Sequence, residues 1–262
     1  MDEIQTYLGA DGLMHCTVCK EPVEAFYPKG SFLEMRKHHR QCACERQAYA
    51  EEAQYFKEKE RRELVVRNKK ICFEEKEMED FIFQNVDRDS GAIRIAKEYV
   101  ANWQKMKKNH MGYLFWGPVG TGKSYLAACI ANALLEQEVT VKMTNFNTIL
   151  NDLFAAEDKT EYVRLLNVYE LLIIDDLGVE RNSEYALENI FSVIDWRYRS
   201  GKPLIITTNL PLAQLKQEIK IEKKRIYDRI LERCVPVKID GVSRREAMAN
   251  DNMQTMKSIL KI

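Results

Sequence analysis

Gly117-Pro118-Val119-Gly120-Thr121-Gly122-Lys123-Ser124 is the stretch on which the reading of this 262-residue chain turns. Before it runs Tyr113-Leu114-Phe115-Trp116, an apolar segment that predicts a buried strand. Behind it, residues 125–135 have the apolar spacing and alanine content of a helix. Strand, glycine-rich turn closing on Gly-Lys-Ser, then helix is the context in which such a turn binds phosphate. The glycines let backbone N–H groups curl inward with no Cβ in the way, and the helix N-terminus adds the positive end of its dipole. Lys123 would reach the β- and γ-phosphates, and Ser124 would offer a hydroxyl to Mg²⁺. A nucleoside triphosphate site is expected.

Leu171-Leu172-Ile173-Ile174-Asp175-Asp176 is the second decisive stretch. Four consecutive apolar residues predict a strand buried on both faces, as in a parallel sheet. It delivers two carboxylates at its C-terminal edge, where α/β sheets bind ligands. Asp175 is placed for the Mg²⁺ shell, and Asp176 to orient or deprotonate an attacking water, a role in which glutamate is commoner. Residues 203–209 predict another buried strand, ending at Asn209. Asn209 is a candidate for a hydrogen bond to the γ-phosphate or the water, although Asn before Leu-Pro is equally ordinary turn chemistry.

Further strands are expected over 139–143 and 235–239. Helices are expected over 92–107, with Ile93, Ala96, Val100 and Trp103 on one face, over 184–199 and over 216–233. Residues 146–166 read as one or two helices with a polar interruption at Glu157-Asp158-Lys159. The fold class is α/β, a parallel sheet flanked by helices. Arginines near a triphosphate stabilise transition-state charge, but spacing alone does not say which one does so here.

Composition bounds the rest. Forty basic and forty acidic residues cancel, so any nucleic-acid contact must use local patches. Hydrophobic content of 45% suits an ordered soluble protein. The sequence has no run long and apolar enough for a membrane span, and the acidic start Met1-Asp2-Glu3 is unlike an export signal, so a cytoplasmic protein is expected.

Seven cysteines, an odd count without an export signal, argue against a disulfide framework. Four cluster as Cys16-x-x-Cys19 and Cys42-x-Cys44, which could form a tetrahedral thiolate site for structural Zn²⁺ in a module too small to hold itself together. His15, His38 and His39 are nearby substitutes. Cys72, Cys129 and Cys234 read as small buried residues. Lys29, Arg36, Lys37, His38, His39 and Arg40 form a basic patch, either a nucleic-acid contact or a solvated face. Residues 45–78 are densely charged without proline or glycine, and their thin stripe of Tyr49, Phe56, Leu64 and Val65 predicts an exposed helix. The expected organisation is a zinc-binding N-terminal module over 1–44, a charged helical linker over 45–78 and an ATPase domain over 79–262.

In order, GPVGTGKS, LLIIDDLG, IITTN, RIYDRI and the closing SRR resemble the AAA+ ATPases of the DnaC/DnaI helicase-loader group, across about residues 80–250. IstB-like transposition ATPases share most of these motifs, and the paired cysteines are similar to the zinc-binding N-terminal region of many loaders. The resemblance implies an AAA+ P-loop fold that hydrolyses ATP, with Asn209 as the sensor 1 residue and Arg229 as an arginine finger acting on a neighbour's ATP. It also implies Arg245, or else Arg244, as sensor 2. The expected partners are then a replicative DNA helicase, gripped by the N-terminal module, single-stranded DNA, and further copies in an ATP-dependent homo-oligomer. An extended α-helical lid is not expected, because little chain follows Ile239. The alternative is an IstB-like accessory ATPase for DNA transposition.

Overall fold

The computed structural model describes residues 5–33, 36–85, 91–178, 183–241 and 243–260, except for the side chains of 244–248, 250 and 251. The chain divides into two compact units, Met1–Glu63 and Leu64–Ile262. In the first, β1 (Thr6–Leu8) pairs antiparallel with β2 (Met14–Cys16), and β3 (Glu24–Phe26) with β4 (Lys37–His39). The helix α1 (Ala43–Cys72) begins in this unit and ends in the second. Its stability comes partly from its own charge pattern: Glu58 pairs with Arg61 at 3.1 Å and with Arg62 at 3.0 Å, the spacings at which helical side chains meet. Its buried residues are Val65 and Cys72, while Tyr49 and Phe56 of the expected stripe are exposed. It stops at Cys72, short of the expected 78, and two 3₁₀ turns follow at Lys76–Asp80 and Phe83–Asn85.

The second unit continues with α2 (Gly91–Ala101) and α3 (Trp103–Lys108). The single helix expected here breaks at Asn102, whose side-chain amide donates back to the Glu98 carbonyl at 3.0 Å. Ile93, Ala96, Val100 and Trp103 are all buried, as their spacing predicts. The chain then runs through β5 (Gly112–Trp116), α4 (Lys123–Leu135), β6 (Val141–Asn145), α5 (Phe146–Ala155) and α6 (Lys159–Leu166). It goes on through β7 (Leu171–Leu177), α7 (Glu184–Ser200), β8 (Leu204–Thr208), α8 (Leu212–Lys216), α9 (Ile221–Arg233), β9 (Cys234–Lys238) and α10 (Arg244–Leu260).

β6 starts two residues later than expected because the Val139 N–H is bonded to the Leu134 carbonyl, closing α4. The helix expected over 216–233 is likewise divided: Glu218 accepts from the N–H groups of Ile219 and Lys220, both at 3.0 Å, in the turn between α8 and α9. Asp158, in the polar interruption, caps α6 through the N–H groups of Thr160 and Glu161.

The five strands form one parallel sheet in the order β6-β7-β8-β5-β9. Alternation sends successive side chains to opposite faces. Phe115, Leu171, Ile173 and Ile205 pack with α2 and α4, while Leu114, Leu172, Ile174, Leu204 and Ile206 pack with the core residues of α5, α6, α7 and α9. Cys72, Cys129 and Cys234 are buried as expected. Among the described residues, no helix is long and apolar enough to cross a membrane.

Candidate nucleotide and metal sites

The glycine-rich loop joins the end of β5 to the start of α4, at the C-terminal edge of the sheet. Gly117 has φ 144°, and a Cβ there would lie 2.3 Å from the Ile239 carbonyl oxygen. A Cβ on Gly120 would lie 2.2 Å from Ser243 Oγ. Gly117 therefore excludes a side chain, and Gly120, at φ 80°, accepts one only with strain and a shift of Ser243. The turn is braced by the Thr121 hydroxyl, which donates to the Pro118 carbonyl at 2.9 Å. Lys123 is buried, and its Nζ donates to the carbonyls of Gly117 at 3.0 Å and Pro118 at 2.7 Å. The charge of that lysine is thus held over the loop's own backbone, while Val119 stands exposed at its tip.

Asp175 comes to the same edge on β7. Burial pushes its carboxyl above the ordinary range; hydrogen bonds from the hydroxyls of Thr207 and Ser124 oppose this, the charge of Asp176 adds to it, and the charge of Lys123 opposes it. The pairing of Ser124 with Asp175 assembles two hard oxygen donors, the set that suits Mg²⁺. Asp176 is turned differently. The register of β7 against β8 slips between Ile174 and Leu177, and Asp176 adopts a left-handed φ of 56°. For a non-glycine residue this costs on the order of 1 kcal/mol, and such strain gathers at functional positions. Its N–H donates to Thr207 Oγ1 at 2.9 Å, and Asn209 Nδ2 donates to its Oδ1 at 3.4 Å.

Thr207 is the residue that sequence reasoning passed over. It is fully buried on β8, donates to the Asp175 carboxylate at 2.5 Å and accepts from the Asp176 backbone N–H, so one hydroxyl ties the Asp175 side chain to the Asp176 backbone. The signal was a threonine pair at the end of a strand otherwise made of buried aliphatics.

Lys123, Ser124, Asp175, Asp176 and Asn209 are therefore linked through one another. Arg229 belongs to a different group, with Phe191, Asp195 and Tyr198 of α7. Arg244 and Arg245 open α10, and their side chains lie outside the described residues.

In the first unit, Cys16, Cys19, Cys42 and Cys44 place their sulfurs within 4.8 Å of one another. Cys16 ends β2, and a tight turn closed by Lys20 N–H to Cys16 carbonyl at 3.0 Å carries Cys19. Cys42 immediately precedes α1, where Glu45 reaches back to its N–H at 3.0 Å. Cys44 lies in the helix's first turn, which explains how a Cys-x-Cys spacing can serve: the helix start presents both sulfurs together. Backbone N–H groups of Cys44 and Glu21 stabilise the Cys19 thiolate and bring its pKa down to about 6. Cys44 is pushed up to about 12, chiefly by Cys19. Four cysteine sulfurs at this separation form an all-sulfur set that fits Zn²⁺. The histidines have other partners: His15 contacts Asp11 at 3.0 Å, and His39 contacts Glu45 at 3.3 Å. In the basic patch, Lys37 pairs with Glu24 at 3.2 Å.

A family model described as IstB-like ATP binding protein matches residues 47–251. The chain is similar to the replicative helicase loader DnaC of Escherichia coli (strain K12), with 29% identity over 144 residues, 53% of this chain and 56% of that protein. It is also similar to the replicative helicase loader DnaI of Bacillus subtilis (strain 168), with 24% identity over 62% of this chain and 58% of that one. A crystal structure of DnaI superposes with a TM-score of 0.58 at 27% identity, over 68% of this chain and 99% of that one. The chain spans little more than half the length of these two loaders.

Proposed function

The chain belongs to the IstB-like ATP-binding protein family, and from that premise we propose that it is an ATPase that loads a replicative DNA helicase. The loop Gly117, Pro118, Val119, Gly120, Thr121 and Gly122 would enclose the phosphates of ATP with its N–H groups, and Lys123 would set its ammonium against the β- and γ-phosphates. Ser124 and Asp175 would hold Mg²⁺, which supplies neutralising charge on the phosphate oxygens. Asp176 would orient the attacking water and accept its proton, with Asn209 hydrogen-bonded to that water or to the γ-phosphate. Arg229 of a neighbouring copy would meet the charge that develops on the transferred phosphoryl group, and Arg245 would serve as a second sensor of the nucleotide.

ATP would then order a homo-oligomer on single-stranded DNA, and its hydrolysis would release the helicase. Residues 1–44, stapled by Zn²⁺ on Cys16, Cys19, Cys42 and Cys44, would grip the helicase, with 45–78 as the link and 79–262 as the motor.

The observation that carries the reading is the buried Lys123 on the carbonyls of Gly117 and Pro118, at the sheet edge where Thr207 bonds Asp175 at 2.5 Å. The likeness to two helicase loaders supports the choice of partner. Co-sedimentation of the full chain with the replicative helicase should yield a complex with ATP; absence of binding with both ATP and ADP would refute the loader and leave the ATPase standing. The match to the IstB-like model favours a second reading, an accessory ATPase for DNA transposition. That reading expects ATP-dependent filaments on duplex DNA and no helicase complex.

A further inference from the structure

α9 packs against α7, and the two helices gather four arginines around two aromatic rings and one carboxylate. The guanidinium carbons of Arg225 and Arg229 lie 4.3 Å and 4.5 Å from the centre of the Phe191 ring. Arg233 lies 4.5 Å from the Tyr198 ring, whose hydroxyl donates to Glu232 at 2.7 Å. Between the rings, Asp195 makes two bridges: Oδ1 to Arg229 Nη2 and Oδ2 to Arg199 Nε, both at 2.8 Å. These differ in burial. The Asp195 side chain is 13% exposed and that of Arg229 24%, against 74% for Arg199. The bridge to Arg229 is the desolvated one.

Arg229 thereby has a carboxylate in charge contact, without hydrogen-bond geometry at Asp195 Oδ1, and a ring against one face, while a quarter of its side chain stays open to solvent. An unrestrained arginine loses rotamer freedom on engaging a ligand, and fixing it beforehand removes most of that loss. Asp195 does not cancel the charge of the group, since it is the one carboxylate bridged to any of Arg199, Arg225, Arg229 and Arg233 among the contacts described.

We propose that Asp195, with Phe191 beneath it, is the positioning residue that orients Arg229 for the phosphate site of a neighbouring copy; this rests on the role given to Arg229 above. Asp195→Asn keeps the shape and removes the charge. Steady-state ATP hydrolysis by the full-length variant should show kcat lowered roughly 10- to 100-fold, the scale expected when a reacting group is displaced by about 1 Å. KM should change less than about threefold, because the interaction acts in the transition state.

Added Lys123→Ala chains, which cannot turn over ATP but carry an intact Arg229 and Asp195, should restore the rate. A merely misfolded variant would not be rescued in this way. Arg199→Ala, which breaks the other bridge to the same carboxylate, should leave kcat within about twofold, the scale of a surface substitution. An unchanged kcat for Asp195→Asn, or a loss that Lys123→Ala chains do not restore, overturns the proposal. Arg229→Ala run through the same mixing separates the two levels. If it loses activity and is restored while Asp195→Asn is not, only the positioning role falls. If Arg229→Ala retains full kcat, or is not restored, the shared site falls and the positioning role with it.

Discussion

What is buried differs in kind between the two units. In the second, two aliphatic and aromatic clusters fill both faces of a five-stranded sheet. In the first, the buried cluster consists of Cys16, Val23 and Cys42, with Met14, Cys19 and Cys44 packed against it. Four of those six residues are candidate metal ligands. A unit with so little apolar surface gains little from burial to offset the entropy of ordering its chain, so under the zinc proposal its fold would depend on what the sulfurs bind. The sheet has no such dependence. If the proposed Zn²⁺ binds there, one chain holds a unit stabilised by burial and a unit stabilised by coordination, and the two should fail under different insults.

The largest expected effect is removal of metal. A strong chelator, or the pair Cys16→Ser and Cys42→Ser, should unfold the first unit outright, since structural Zn²⁺ supplies about 10–16 kcal/mol in small modules. Amide exchange should show residues 5–42 losing protection while β5, β7 and β8 keep theirs. Stoichiometric zinc in the unchelated protein is part of the same expectation; a metal-free protein with a protected first unit would break the comparison.

Next in size is a polar residue inside the sheet unit. Arg197 on α7 is 1% exposed, and its guanidinium donates to the carbonyls of Tyr169, Glu170 and Pro203 at 2.6–3.1 Å. Burial brings its pKa down to about 9. Arg197→Ala would leave those carbonyls unpaired inside the protein, at a cost of about 3–5 kcal/mol, read as a lowered melting temperature of the second unit alone. Lys123→Ala should shift the balance: ATP affinity should fall by at least about 100-fold, and melting should drop less than for Arg197→Ala, since two carbonyls lose a partner and not three.

How much of this was legible in the sequence follows the same division. Runs such as Leu171-Leu172-Ile173-Ile174 announce a buried parallel strand, because burial on both faces leaves no polar positions. The loop and the two aspartates are legible because phosphate chemistry restricts which residues can serve. Arg197 was not legible, since an arginine on a helix is ordinarily exposed, and only the carbonyls at the ends of neighbouring loops make its burial tolerable. The break at Asn102 and the divided helix around Glu218 were hidden for a related reason. Each depends on one side chain bonding to nearby backbone, which apolar periodicity does not record. The pairing of Asp195 with Arg229 needs two helices to be docked before it exists.

The smallest expected effect tests whether the sheet unit gives up stability to keep its site. The Asp175 carboxyl is raised above its ordinary value of 3.8, with burial the main cause. A raised folded-state pKa means that the fold disfavours the ionised form. Above the folded pKa the penalty is present in full; as pH falls through the folded pKa towards the unfolded one it is lost. Asp175→Asn keeps an oxygen to accept from Thr207 and Ser124 and removes the charge. The variant should therefore melt higher than the parent at pH 7, by roughly 2–4 °C for each kcal/mol relieved in a unit of this size. The gain should shrink as pH falls into the carboxylate range. The variant should also lose Mg²⁺-dependent nucleotide binding, since a neutral amide replaces the charged carboxylate that would hold the ion. A variant that melts lower at pH 7, or whose gain does not diminish in acid, would mean that Asp175 is part of what holds the sheet together, and the contrast with the metal-dependent unit would narrow accordingly.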